Sequence, residues 1–234
     1  RAGGTVSCWG DNDYGELGNG NTVTSRVPVT VSGITNATSI SVGAFHSCAL
    51  RGDGTATCWG WNSLGRLGSG TPIWSSDVPV PVVGISDATA ISAGFGHSCA
   101  VLDDGTMSCW GNNDNGQVGN GTISSLSDPV AVTDITDATA VTAGGLHTCA
   151  VLGDGTVSCW GYNYLGQLGD GTVSNSSLPA AVTGITDATA VGVHPSESGD
   201  QTIVEVLVPS DAAADLAARA ATGKVALVLD SRER

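Results

Sequence analysis

Apolar and polar residues alternate over short runs along most of this chain, and glycine, aspartate or proline closes each run. The run Thr38-Ser39-Ile40-Ser41-Val42 has the two-residue period of a strand with one buried face. A glycine-containing bend separates it from His46-Ser47-Cys48-Ala49-Leu50, and a short Gly/Asp turn leads on to Thr55-Ala56-Thr57-Cys58-Trp59-Gly60. The proline-marked run from Val78 to Val83 closes the unit. Proline offers no N–H to a ladder, so this strand is expected at a sheet edge. Equivalent segments begin near Thr89, Thr139 and Thr189. The pattern predicts about four short strands in every ~50 residues.

A second pattern has the same period. Cys-Trp-Gly begins at Cys8, Cys58, Cys109 and Cys159, at intervals of 50, 51 and 50 residues. It leads into W-G-x-N-x-x-G-x-[LV]-G-x-G, read as WGDNDYGELGNG from Trp9, WGWNSLGRLGSG from Trp59, WGNNDNGQVGNG from Trp110 and WGYNYLGQLGDG from Trp160. Four strands per repeat is the cue for a β-propeller blade. The expected fold class is all-β, an incomplete propeller of four-stranded blades with a small C-terminal β-α-β segment. Its repeats occupy residues 1–191 as about 3.8 units with the first truncated, followed by a junction at 192–198 and a strand-helix-strand segment at 199–234.

Six of the seven cysteines stand in pairs ten residues apart: Cys48/Cys58, Cys99/Cys109 and Cys149/Cys159. The pairs centre on Asp53, Asp104 and Asp154, each followed by a glycine, Gly54, Gly105 or Gly155. A three-residue hairpin loop with that glycine left-handed sets the cysteines opposite one another, Cα atoms ~4.5–5.5 Å apart. That separation suits a disulfide. Three cross-strand disulfides are expected, and with them an oxidising compartment, extracellular or at the cell surface. The alternative is buried reduced thiols packed as small apolar groups. By the same spacing the partner of Cys8 would fall just before Arg1, so Cys8 is expected to be unpaired in a truncated first unit.

These residues resemble the repeat of the regulator of chromosome condensation family, whose consensus runs roughly G-x-x-H-[ST]-x-x-L-x-x-x-G-x-[VL]-x-x-W-G-x-N-x-x-G-Q-L-G. The resemblance covers residues 1–191. It implies a four-stranded blade per unit, usually seven about a central axis; bacterial secreted members carry a cysteine pair on the central hairpin. A propeller-type inhibitor of beta-lactamase shares the architecture and acts purely by binding. The chain departs from the family in holding three complete repeats and part of a fourth. Where ATAVTAGGLHTC stands at 138–149, its successor at 188–199 reads ATAVGVHPSESG, without His-x-Cys. An open arc exposes apolar blade faces at both ends, which missing blades, self-association or the C-terminal segment must cover.

The C-terminal segment has another character. Thr202 to Val208 alternates as a strand, and Pro209 and Ser210 precede an alanine-rich helix with Asp211 and Asp215 near its start. Gly223 stops that helix and Val225 to Leu229 forms a second strand. This stretch is similar to the end of Flp pilus assembly proteins of the CpaB/RcpC type, which implies a part in a bacterial pilus or secretion assembly. The other reading is a cap on the last blade.

Charge narrows the function classes. Eight basic against 22 acidic side chains give a net charge of −14, with Lys224 the single lysine. Such a chain lacks the basic surface that nucleic acid requires, and the charge weighs against guanine-nucleotide exchange, the activity of the family's founding member. No apolar run approaches the ~20 residues of a membrane span.

Candidate chemistry is thin. His46, His97 and His147 recur in every complete copy, but zinc ligation with the neighbouring cysteines lacks the C-x2–4-C clip, so hydrogen-bonded residues of the hairpin are expected. Asp11-Asn12-Asp13-Tyr14-Gly15 has no closing glutamate for calcium. Gly15, Gly18 and Gly20 have neither a following helix nor a lysine for phosphate. No nucleophile motif accompanies any histidine. No enzyme activity, catalytic residue, metal or cofactor is therefore expected.

Trp9, Trp59, Trp110 and Trp160 recur unchanged and read as packing between blades. The residues that vary between copies carry more information: Tyr14, Trp61, Tyr162 and Tyr164 in the repeated loop, and Trp74 in a neighbouring one. They read either as a partner-binding surface or as local packing substitutions. Asn36, Asn120 and Asn175 fit the glycosylation pattern, which matters only in a glycosylating host. The function expected is non-catalytic binding of a protein partner, of identity unknown, through variable loops on a disulfide-braced scaffold.

Overall fold

Strand β1 (Ser7–Gly10) pairs with β2 (Ser25–Thr30) in a two-stranded antiparallel sheet at the start of the chain. The structure is a computed structural model that describes residues 4–195 and 202–207. Three four-stranded sheets follow. The first holds β3 (Ala37–Val42), β4 (His46–Arg51), β5 (Ala56–Trp61) and β6 (Ser75–Pro81). The second holds β7 (Ala88–Ala93), β8 (His97–Leu102), β9 (Met107–Gly111) and β10 (Leu126–Ala131). The third holds β11 (Ala138–Ala143), β12 (His147–Leu152), β13 (Val157–Gly161) and β14 (Ser176–Ala181). A last two-stranded sheet pairs β15 (Ala190–Pro195) with β16 (Thr202–Leu207).

Within each complete sheet the strands lie side by side in chain order, so the proline-bearing β6, β10 and β14 are edges, where a missing N–H costs no ladder bond. Successive sheets pack face on face: β7 against β3 and β4, β11 against β7 and β8, β15 against β11 and β12. Among the described residues the fold is all-β, an arc of propeller blades with three complete blades between two half-blades.

The core lies between blades. Leu50, Ala56 and the Cys48–Cys58 pair of blade one pack with Ile91, Ala100 and Trp110 of blade two. Met107, Val118 and the Cys99–Cys109 pair of blade two meet Ala150 and Trp160 of blade three. Each blade thus buries its apolar face only by lying on its neighbour, which is how repeat architectures gain stability.

The central hairpins form as their spacing requires. Arg51 N–H donates to the Thr55 carbonyl, and Gly54 N–H to that of Arg51. Gly54, Gly105 and Gly155 take φ of 80°, 81° and 81°, a region that side-chain-bearing residues rarely adopt. Cys48–Cys58, Cys99–Cys109 and Cys149–Cys159 are joined as disulfides, each with Cα atoms 4.1 Å apart. This is closer than the expected ~4.5–5.5 Å, below even the non-hydrogen-bonded spacing at the narrow end of that range. Cys8 is free and half-buried, and burial raises its thiol pKa.

At the other end the last two-stranded sheet follows the third complete blade. Strand β15 continues to Pro195, across the position where the junction at 192–198 is expected, and pairs from Ala190↔Leu207 to Pro195↔Thr202. The strand expected from Thr202 is therefore joined to the blade series as β16. The alanine-rich helix, the strand from Val225 and most of the pilus-type resemblance lie outside the described residues. No helix among the described residues is long and apolar enough to cross a membrane.

Candidate functional site: an aromatic face across three blades

The repeated residues build the joints between blades. Trp59, Trp110 and Trp160 are fully buried. Their indole N–H groups donate to the carbonyls of Glu16, Arg66 and Gln117 in the preceding blade, at 2.8, 2.9 and 2.9 Å. The hydroxyls of Ser47, Ser98 and Thr148 donate to the same three carbonyls at 3.2, 3.1 and 2.8 Å. Glycine is required beneath each indole: a Cβ on Gly18, Gly68 or Gly119 would stand 2.7, 2.7 or 2.6 Å from the ring. Trp9 departs from the inter-blade packing expected of it. It is 63 % exposed, since no preceding blade among the described residues offers it a loop.

The histidines join the same network. His46 Nε2 lies 2.8 Å from Ser98 Oγ, and His97 Nε2 lies 2.9 Å from Thr148 Oγ1, each on the next blade. The hydroxyl protons already serve the carbonyls, so each histidine donates from Nε2 and stays neutral. Burial first, then the nearby Arg66 charge and His97, lowers the His46 pKa to about 3. His97 falls to about 3 through burial, His147 and Arg66, and His147 to about 4 through burial. His147 Nε2 is buried and has no partner among the described residues. Nor, among those residues, is any group of three or more His, Cys, Asp or Glu placed to hold a metal ion.

Inside each W-G-x-N loop a buried asparagine sets the turn, a role the sequence reading does not assign. The side-chain oxygens of Asn12, Asn62, Asn113 and Asn163 accept from the N–H of Leu17, Leu67, Val118 and Leu168 at 2.8, 2.9, 2.9 and 2.9 Å. Their Nδ2 groups donate to carbonyls on the far limb of the loop, as Asn62 does to Ile73 at 2.8 Å. A rigid platform results, and the unit-specific residues stand on it.

Those residues fall into two groups. Trp61, at the end of β5, stacks on Tyr14 of the N-terminal half-blade, ring centroids 5.0 Å apart and planes 22° from parallel. Phe45 meets Trp61 edge-on at 5.4 Å, and Trp74 meets it at 6.2 Å. Phe95 of blade two extends the group through Phe45 at 5.6 Å. The Arg66 guanidinium carbon lies 4.4 Å from the Trp61 ring centre, a cation–π contact, and its Nη1 donates to the Phe95 carbonyl at 3.0 Å. Burial lowers the Arg66 pKa to about 10, so it remains charged at neutral pH.

The face is open to solvent at Trp74 (69 % exposed) and Phe95 (50 %). Beside Trp74 and Leu64 a cleft of about 370 Å³ runs to Ser125 and Ser127 of blade two. The Trp61 Nε1 donor is buried and unpartnered among the described residues. Tyr162 and Tyr164 form a separate pair at 5.0 Å on blade three.

The structure thus brings Tyr14, Trp61 and Trp74 together and leaves Tyr162 and Tyr164 apart. Phe45, Phe95 and Arg66 belong to the face and escape the sequence reading. Their signal is the same kind of variation between copies: phenylalanine in the bend before His-Ser, and arginine where the sister loops carry Glu16, Gln117 and Gln167.

The human E3 ubiquitin-protein ligase HERC2 is 34 % identical over 129 residues, 52 % of this chain and 3 % of that protein, and the mouse protein matches to the same extent. Among solved structures, yeast RCC1 (Prp20) bound to Kap60 superposes with a TM-score of 0.74 at 22 % identity, over 94 % of this chain and 54 % of that one. Human WBSCR16 gives 0.67 at 22 % identity, over 77 % of this chain and 48 % of its own. The chain therefore spans about half the length of these structures and a small part of HERC2, and at such identities the structures speak to fold alone. The regulator of chromosome condensation (RCC1) repeat matches four times, over residues 3–50, 53–101, 104–151 and 154–195. Repeats, blade order and inter-blade joints agree with that match, and the chain belongs to the regulator of chromosome condensation (RCC1) repeat family.

Proposed function

We propose that this chain is a non-catalytic binding module, extracellular or at the cell surface, which takes a protein partner on the face formed by Tyr14, Phe45, Trp61, Trp74 and Phe95. The observation that carries the proposal is the assembly of unit-specific aromatics from three blades into one half-exposed cluster, with an unused indole donor at its centre. Large aromatic side chains with few rotatable bonds are the residues that dominate protein interfaces. Here the asparagine-set loops and the disulfide-braced hairpins hold them in place before binding, so little side-chain and loop entropy is lost on association. Three buried disulfides suit an oxidising compartment. The yeast relative has been solved with Kap60 bound, and the binding of Prp20p to Gsp1p and histones has been studied. Those partners are properties of that protein; they support protein binding as the mode of action of this one.

The test uses the two most exposed members, whose truncation leaves the joints untouched. A Trp74→Ala/Phe95→Ala double variant is expected to keep the far-UV circular dichroism of the wild type and to lose at least roughly tenfold in capture of a host-extract or surface partner. Equal capture by both proteins rejects this face.

A further inference from the structure

On the reading of the aromatic face as the binding surface, we infer that Arg66 selects the partner, which brings to it a side-chain carboxylate, Asp or Glu, set among apolar residues. Arg66 costs its own loop a bond. In the other three W-G-x-N loops the side chain at this position holds the backbone N–H two residues earlier. Tyr14 donates to Glu16 Oε2, Asn115 to Gln117 Oε1 and Leu165 to Gln167 Oε1, at 2.9, 2.9 and 3.0 Å. Arginine carries no acceptor, so Leu64 N–H has no such bond. The turn changes with it: Leu64 takes φ 61° and ψ 19°, in the left-handed region, whereas Tyr14, Asn115 and Leu165 do not. That is a strained conformation for leucine, and strain of this kind gathers at functional sites.

In exchange the guanidinium is fixed in one place. Nε donates to the Ser63 carbonyl and Nη1 to the Phe95 carbonyl of the next blade, both at 3.0 Å, while the Trp61 ring centre lies 4.4 Å from the guanidinium carbon. Arg66 is only 3 % exposed, yet among the described residues no carboxylate forms an ion pair with it. Its hydrogen bonds go to carbonyls, and burial acts on its charge with no acidic group in opposition. A buried charge is ordinarily paired.

The third nitrogen is the one a ligand can use. Nη2 donates to no described residue and is not sealed from solvent. Beside it stands Gly96, where the sister bends carry Phe45 and Leu146. The φ of Gly96 lies outside the left-handed region, so the backbone does not require glycine there. A Cβ at this position would stand 3.2 Å from Asn112 Cβ and 3.8 Å from Arg66 Nη2. Glycine thus keeps side-chain atoms away from this nitrogen. A carboxylate oxygen reaching it makes a charge-assisted hydrogen bond to a donor already stripped of most of its water. Trp74, Phe95 and Leu64, all exposed, offer apolar surface to the residues that flank the acid. The net charge of −14 repels acidic runs at long range, which favours one carboxylate in an apolar segment over a polyacidic tail.

Short random peptides, displayed through their C-termini so that only side chains offer a carboxylate, are the probe. Selection on the full chain is expected to return peptides with Asp or Glu beside apolar residues, whose binding the Trp74→Ala/Phe95→Ala variant weakens. Exchanging that acid for its amide, or Arg66→Gln in the protein, each weakens binding at least roughly tenfold, and the two together weaken it little further. Arg66→Gln leaves the main-chain carbonyl of the joint in place and gives Leu64 N–H the acceptor found in the sister loops. Its denaturant midpoint is therefore expected to be no lower than that of wild type. A lower midpoint makes Arg66 a brace between blades and overturns the inference. Face-dependent peptides that bind Arg66→Gln undiminished, or that tolerate the amide, overturn it too, while the binding face itself stands. Peptides indifferent to Trp74→Ala/Phe95→Ala, or no enrichment at all, reject the face and the role of Arg66 together.

Discussion

In each joint a single carbonyl oxygen accepts two hydrogen bonds, one from an indole and one from a hydroxyl, and in the Arg66 and Gln117 joints that hydroxyl in turn receives a histidine N–H. The arrangement satisfies buried donors at little cost, but only while the imidazole is neutral. In the unfolded chain these histidines titrate near 6.5; folded, His46 and His97 do so at about 3 and His147 at about 4. The unfolded state therefore binds more protons throughout that window, and stability falls as pH drops from about 6.5 towards 3. At pH 5 the loss is about 2 kcal/mol for His46 or His97 by linkage. Below pH 4 the carboxyls of Asp53, Asp104 and Asp154 add to it, since hydrogen bonds from Thr55, Thr106 and Thr156 hold them below their ordinary value. Urea unfolding at pH 7.5 and pH 5 measures the effect. A His97→Asn variant, which cannot take up the proton, is expected to show a shallower fall; an unchanged slope denies the histidines this role.

At the scale of the element, the hairpin from β8 to β9 is the unit that everything else rests on. Its disulfide closes a short loop and lies wholly inside the protein. The double substitution Cys99→Ala/Cys109→Ala is expected to lower stability by about 3 kcal/mol in the chain-entropy treatment, measured by denaturant unfolding. Indifference to the substitution would make the bond a consequence of proximity alone. The hairpin was also the most legible element in the chain. Asp104 and Gly105 fix the turn, and the turn fixes which residues face each other, so Cys99 and Cys109 could be paired from spacing alone. The proline strands were legible for the same reason, as one missing N–H at Pro129 decides the edge.

Across the whole molecule the information is distributed differently. Tyr14, Trp61 and Phe95 stand 47 and 34 positions apart along the chain, and the angle between blades, which no single repeat encodes, is what brings their rings together. The exposure of Trp9 was hidden for a related reason: its sequence context matches its three buried counterparts, and only its place at the end of the row sets it apart. The same geometry predicts a gradient of protection. Blade two has a complete blade on either side, so the amides of β8 and β9 are expected to exchange hydrogen most slowly, and those of β2 and β16 fastest. Exchange mass spectrometry with uniform rates along the arc would contradict that ordering.

The indole hooks all point one way. Trp59, Trp110 and Trp160 each hang from a carbonyl that lies earlier in the chain. As the polypeptide leaves the ribosome, the anchorage for each new module is already in place when its tryptophan emerges. Assembly can then proceed in the direction of synthesis, each indole meeting a carbonyl already made, while the bonds of His46 and His97 close as Ser98 and Thr148 of the following blade arrive.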